Sequence, residues 1–310
     1  MVEVYMIEPN GGKKALGGML GFTLNRELGA ADDLTVELCD CVPENIKASR
    51  IELWIDGCIE FSGIIDEAVT YENSGGRAAV LYARSTAGIL LDNEAKPVDY
   101  KNADSALIAK NHIEPFGLEC ICEDNGEYTD MSIYKGVSHW QVIKSFCRRC
   151  YGSEPYVNGE GKVVLCERDS SDELCFNNGG GIEYSSAVVN KKYFRLISSV
   201  HTKAAGSEEY DIEDTNELAE EYGITRRRYV DGESLGCDYG RQMIDSGNAE
   251  SLDVRISTPS FISCPLKRKC SVRLNSGEKL CGLRCVKVKL SLGRLGFETV
   301  VTMTGKIGGR

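Results

Sequence analysis

The sequence contains no run of 18 apolar residues, so no segment of it reads as a membrane-spanning helix. Its first residues, MVEVYMIEPNGGKK, offer no basic stretch leading into an apolar run with a small-residue cleavage site. That argues against a secretory leader and for synthesis and folding in a cytoplasm. Histidine is scarce: His112, His139 and His201 are scattered, and none belongs to an H-E-x-x-H spacing, so a catalytic metal has no support. No Walker A motif occurs, and no G-x-G-x-x-G follows a strand. The Gly-rich NNGGGI at 177–182 lacks the lysine and the following helix that phosphate binding needs, so nucleotide chemistry is unsupported too.

What remains is material for ordinary packed cores. With 310 residues, 42% hydrophobic and 27% charged, the chain has the composition of a soluble protein with two or three cores. It holds fourteen cysteines, but a long chain without a leader keeps most of them reduced. Several, such as Cys39 in TVELCDC, Cys166 in KVVLC and Cys270 in KCSVRL, fall where a thiol serves as a small hydrophobe.

The net charge of -11 is unevenly spread. Residues 261–310 carry eleven Lys or Arg and only Glu278 and Glu298, a net of +9, which leaves -20 in residues 1–260. Such halves attract oppositely charged surfaces. Lys267, Arg268, Lys269, Lys287 and Lys289 are therefore the candidate partner-contact residues. Sequence-specific nucleic-acid binding is not expected, because these bases alternate along strands (CVKVKLSL) with no RNP or helix-turn-helix signature.

In RIELWID, Ile51, Leu53 and Ile55 alternate with Glu52, Trp54 and Asp56, the period of a strand with one buried face. Asp56-Gly57 supplies a tight hairpin turn, CIEFSGIIDEAVTYE a long second strand in which Gly63 marks a bulge or bend, and NSGG a second turn into RAAVLYARS. AGILLD then leads out as a short helix or turn. Further along, Asp104 caps a helix that ends before Pro115, and Ser138 caps a second one striped by Trp140, Val142, Ile143 and Phe146 and ended by Gly152. Asn158-Gly159 marks another hairpin. FNNGGGIEYSS reads as a flexible joint, FRLISSVHTKA as strand, EEYDIEDTNELAEEYG as loop or peripheral helix, and CDYGRQMIDSGN as a short amphipathic helix. LDVRIST, KCSVRLN, LRCVKVKLSL and FETVVTMTGKI are four strands. The expectation is a β-rich α+β chain: a β-barrel domain over 1–95, an α+β module over 96–175, and a second β-rich barrel domain with linker and short helix over 176–310.

Motifs that could carry chemistry fail on context. GESLG at 232–236 matches a nucleophile elbow, but no suitable helix follows Ser234 and all three histidines precede it. Cys147-Arg-Arg-Cys150 lies near a helix C-terminus, where the dipole opposes a thiolate. With Cys120 and Cys122 it forms a loose four-thiol set for structural zinc, an alternative reading of the chain as a zinc-stabilised binding module. Carboxylate pairs such as Asp32-Asp33 and Glu208-Glu209 keep a cell-wall hydrolase as another alternative, although 47 acidic residues produce such pairs without catalytic need. No cofactor is expected, and the chain reads as a non-enzyme.

The order of segments carries a resemblance. FSGIID at 61–66, ARS and then LLD at 83–92, PFGL at 115–118, the helix opening at Trp140, the hairpin end at Gly161 to Val163, and GITRRRYVDGES at 223–234 resemble the late control protein D group. These are baseplate hub proteins of contractile-tailed phages, whose fold VgrG-type spike proteins share. The resemblance implies a homotrimer in which two small tube-type barrels per subunit make a pseudo-sixfold ring, with the α+β modules outside. It implies the tail tube protein, the central spike protein and other baseplate proteins as partners. The implied location is the virion tail baseplate, after assembly in the host cytoplasm.

Overall fold

The computed structural model describes residues 1–39, 50–74, 76–123, 126–167, 172–203, 206–231, 239–263 and 265–308. The chain is β-rich with a minority of helix and divides into two compact units. Unit 1 comprises Met1–Ser170, Pro259–Leu266 and Lys287–Thr299, and unit 2 comprises Ser171–Thr258, Lys267–Val286 and Val300–Arg310. Unit 1 thus gathers the first expected segment, the second as far as Ser170, and two stretches of the third.

The main sheet of unit 1 runs, in spatial order, through Lys13–Ala15, Val2–Ile7, Arg50–Ile55, Cys58–Asn73, Gly76–Ser85, Asp33–Cys39, Met19–Glu27 and the second half of Lys279–Gly293. Every one of these pairings is antiparallel. The alternation in RIELWID is realised, with Ile51, Leu53 and Ile55 buried at 0, 0 and 3% exposure. The Asp56-Gly57 turn has φ of 50° and 82°, the double positive pattern of the tight hairpin turns whose twist matches the strands.

The irregularities in the long strand Cys58–Asn73 lie on either side of Gly63. Glu60 is the extra residue opposite Leu53/Trp54, and Asp66 the extra residue opposite Tyr82/Ala83. Gly63 itself pairs regularly with Ile51 and Ser85. Its lack of a side chain serves close approach instead, since a Cβ there would lie 2.1 Å from the Arg84 carbonyl oxygen and 2.6 Å from the Phe61 ring.

Helices of unit 1 cover a second core. Helix α1 is Ala87–Asp92, α2 Ser105–His112 and α3 His139–Tyr151. Asp104 accepts the Leu107 N–H at 2.8 Å, and Ser138 and Gln141 form a reciprocal capping box. Gly152 ends α3 in the left-handed conformation at φ 60°. Trp140, Ile143 and Phe146 pack with Leu90, Ile108, Val157 and Leu165 in one continuous cluster. Val98–Asp104 pairs with Tyr128–Ile133, while Cys120–Cys122 lies parallel to Val163–Cys166, which pairs with Tyr156–Val157 across the Asn158 turn.

Unit 2 carries a sheet ordered Ser186–Lys191, Leu252–Thr258, the second half of Gly296–Gly305, the first half of Lys279–Gly293, Lys269–Arg273 and Glu173–Phe176, the last pair parallel. A smaller sheet sets Ser199–Lys203 between Ile212–Thr215 and Arg227–Asp231. Helix α4 is Glu217–Glu221, and α5, Tyr239–Ala249, packs Ile244 against Ile197 and Val200. Two readings are corrected here. The Gly-rich tract after Phe176 is a pinned loop and not a joint, because Asn177 N–H donates to Ile182 O, Ile182 N–H to Cys175 O, and the Tyr184 hydroxyl to Arg273 O. The acidic segment supplies a strand, Ile212–Thr215, as well as the short helix α4. Both sheets of strands are open paths, and among the described residues no pairing closes either into a barrel.

Candidate assembly surface

Strands that bury alternate residues leave an opposite face free for contact, and two of the basic candidates lie on such a face. Lys287 and Lys289 project from the same exposed side of their strand in unit 1, with Val288 and Leu290 buried on the other. Lys287 Nζ lies 2.9 Å from Glu27 Oε2, the residue directly opposite, whereas Lys289 faces Asn25. In unit 2 the triplet 267–269 forms a turn: Lys267 has φ 63° and donates its N–H to Cys285 O, the Arg268 carbonyl accepts the Cys285 N–H, and exposed Lys269 opens the next strand. Lys287 and Lys289 thus stand within a paired strand, Lys269 begins one, and Lys267 and Arg268 lie in the turn before it.

Carboxylates of unit 1 gather around two arginines that sequence reasoning did not single out, one at the surface and one buried. Arg84 grips both Asp66, at 2.6 and 3.0 Å, and Asp92, at 3.0 and 2.7 Å, so the bulged Asp66 is fixed in place. Hydrogen bonding to Arg84 holds the Asp92 carboxyl below its ordinary range. The second bulged acid, Glu60, is buried beside Arg26. Arg26 Nε donates to Asp32 Oδ2 at 3.0 Å and its guanidinium reaches Glu60 Oε2 at 3.6 Å and the Val157 carbonyl at 3.2 Å. Ser263 donates to Glu60 from a further segment. Burial pushes the Asp32 carboxyl up to about 6 against the opposing pull of Arg26. These two carboxylates converge, yet both are at most 2% exposed, so a polymeric substrate cannot reach them. They tie strands together, and no acid–base pair stands in a cleft here.

The thiols follow the same pattern. Cys147 and Cys150 lie on α3 and pack with Cys120 and Cys122 on one core, and burial pushes the Cys120 thiol up to about 12 and the Cys150 thiol up to about 11. Cys122 Sγ contacts the Tyr151 hydroxyl at 3.3 Å. Among the described residues no group of three or more His, Cys, Asp and Glu side chains is placed to hold a metal ion, and no helix is long and apolar enough to cross a membrane. His112 and His139 meet Nδ1 to Nδ1 at 3.0 Å, with Tyr100 OH on the far side of His112. Burial lowers the His112 pKa to about 4 and lowers that of His139 as well. Ser234 lies outside the described residues.

No protein-family model matches the sequence, and no curated protein matches it. Solved structures do. A tail protein from Neisseria meningitidis MC58 superposes with a TM-score of 0.80 at 17% identity, over 98% of this chain and 96% of that one. The 43 kDa tail protein of prophage MuSo2 from Shewanella oneidensis gives 0.79 at 15% identity over 98% of both chains. A type VI secretion component of E. coli, described as structurally similar to the T4 tail proteins gp27 and gp5, gives 0.62 at 10% identity over 94% of this chain and 74% of that one. The chain therefore has the fold of phage and prophage tail proteins, a fold also found in type VI secretion.

Proposed function

We propose that the chain is a structural hub protein of a phage tail or phage-tail-like injection apparatus. The observation that carries this reading is the end-to-end correspondence with two tail proteins, at TM-scores of 0.80 and 0.79. The assembly we propose is a homotrimer. In it the sheets of the two units act as paired barrel-like walls, three subunits close a ring, and that ring joins the tail tube to the central spike at the baseplate. Open sheet edges support this, because an uncovered strand edge is a template for pairing and association covers it. The exposed strand bases Lys269, Lys287 and Lys289 supply charge for contacts with acidic surfaces of tube, spike or a neighbouring copy.

The experiment is the mass in solution by light scattering, alone and with a phage tail tube protein and a central spike protein. A trimer, alone or on assembly, is the expected result. A monomer under every one of these conditions overturns the hub reading, and peptidoglycan turnover abolished by a single Asp or Glu substitution replaces it with a hydrolase.

A further inference from the structure

The outward face of the sheet end in unit 1 holds a cation between two aromatic rings. Lys13 Nζ sits 4.1 Å from the centroid of the Tyr5 ring and 3.9 Å from that of Trp54, and 3.0 Å from Glu52 Oε2. The same Glu52 oxygen accepts the Trp54 indole N–H at 2.9 Å, and the Tyr5 hydroxyl donates to Glu3 at 3.1 Å. The rings meet edge-on at 6.1 Å and 76°. Two π faces and a positioned carboxylate make a receptor for an alkylammonium or guanidinium group.

The walls and the occupant of this slot differ in how firmly they are held. Tyr5 and Trp54 stand on strands whose opposite faces bury Val4, Met6, Leu53 and Ile55. Lys13 belongs to the three-residue edge strand Lys13–Ala15, exposed at every position and bracketed by Gly11-Gly12 and Gly17-Gly18. Its ion pair and ring contacts are exposed ones, each individually weak. A rigid receptor is thus filled by a weakly held side chain of its own protein.

We propose that the Tyr5–Trp54–Glu52 slot is a binding site for a lysine side chain on an extended segment of a partner protein, and that Lys13 is an internal occupant which that lysine displaces. An edge position suits this occupant, since a segment arriving there can add backbone pairing to the cation contact. The inference stands whether or not the hub reading holds, because it rests on the slot alone.

The test uses the full chain with Lys13→Met, which keeps the aliphatic stem and removes the charge. The probe is the peptide acetyl-Gly-Lys-Ala-Leu-amide, with a norleucine-for-lysine peptide and n-butylammonium as comparisons. The readout is the Trp54 indole N–H by NMR, and Trp140, buried and bonded to Gly29 O at 3.2 Å, reports that the fold is intact. The expected result is a saturable Trp54 shift in the variant, about tenfold weaker with norleucine and about tenfold weaker in the wild-type chain, where Lys13 competes. No saturable shift, or equal binding of the norleucine peptide, overturns the site. Binding of n-butylammonium as tight as the peptide overturns the protein-segment occupant. Should Lys13→Met lose the Trp140 signal, the wild-type chain at higher peptide concentration gives the same comparison.

Discussion

Arg26 and Asp32 are joined at 3.0 Å with both side chains only 2% exposed, and Glu60 shares the same guanidinium. One cation is therefore shared by two buried carboxylates, one more than it can balance, which accords with the raised Asp32 pKa. Replacing Arg26 with Met strands both acids without a counter-charge, and the expected cost is about 3–5 kcal/mol. Urea unfolding measures it. Converting all three residues together to apolar groups of similar volume should restore most of that loss, since no uncompensated charge is then left. A single substitution that costs nothing would show that the cluster does not hold the strands.

Two titrations oppose one another. Asp32 is raised to about 6 from its ordinary value, so its folded state binds the extra proton, and its contribution is full at low pH and lost as pH rises through about 6. His112 is lowered to about 4, so its contribution is full above its ordinary value near 6.5 and lost as pH falls through about 4. Between these values the slopes have opposite signs. Asp32→Asn should therefore lose the falling limb, so that its stability relative to wild type climbs from pH 4 to 6. His112→Asn should do the reverse. Urea midpoints at half-unit pH intervals check both, and parallel profiles for the two variants would contradict the assignment.

Gly63 carries a steric requirement. Gly63→Ala places a methyl group against the Arg84 carbonyl and the Phe61 ring, and strand and core must shift to admit it. The expected cost is about 1–3 kcal/mol or more, as for overpacking elsewhere. Gly57→Ala is the contrast: nothing lies within 4 Å of a Cβ there, so only the backbone strain of φ 82° acts. Thermal unfolding of the two variants separates the causes, with the larger loss expected at Gly63.

Much of this fold was legible where the signal is local. Asp56-Gly57, the Asp104 and Ser138 caps and the Gly152 stop depend on residues within four positions of one another, and each forms as expected. Val98–Asp104 was not legible, because only Ala103 of it is well buried and no period of two shows. The Arg26 cluster was beyond reach for another reason: its partners Glu60, Val157 and Ser263 are brought in by pairings distant in sequence. Lys13 reads as a surface base beside glycines until Val2–Ile7 and Arg50–Ile55 pair to set Tyr5 opposite Glu52. Gly63 was recognised as special, but bulge and close approach look alike in a sequence.

The thiols give a final discriminating measurement. Cys58 and Cys175 are exposed, while Cys147, Cys270 and Cys285 are buried, and burial raises the thiol pKa of Cys120, Cys150 and Cys270. Reaction requires both access and thiolate, so among the described cysteines a maleimide in excess at neutral pH should modify Cys58 and Cys175 first. Cys120 and Cys150 should follow slowly, and Cys147, Cys270 and Cys285 only after unfolding. Mass spectrometry of peptides from a time course assigns the order. A zinc-held set predicts a different pattern: Cys120, Cys122, Cys147 and Cys150 would all become reactive together when a chelator is added. With Cys147 on the buried face of α3 at 0% exposure, its labelling should instead track urea and ignore the chelator.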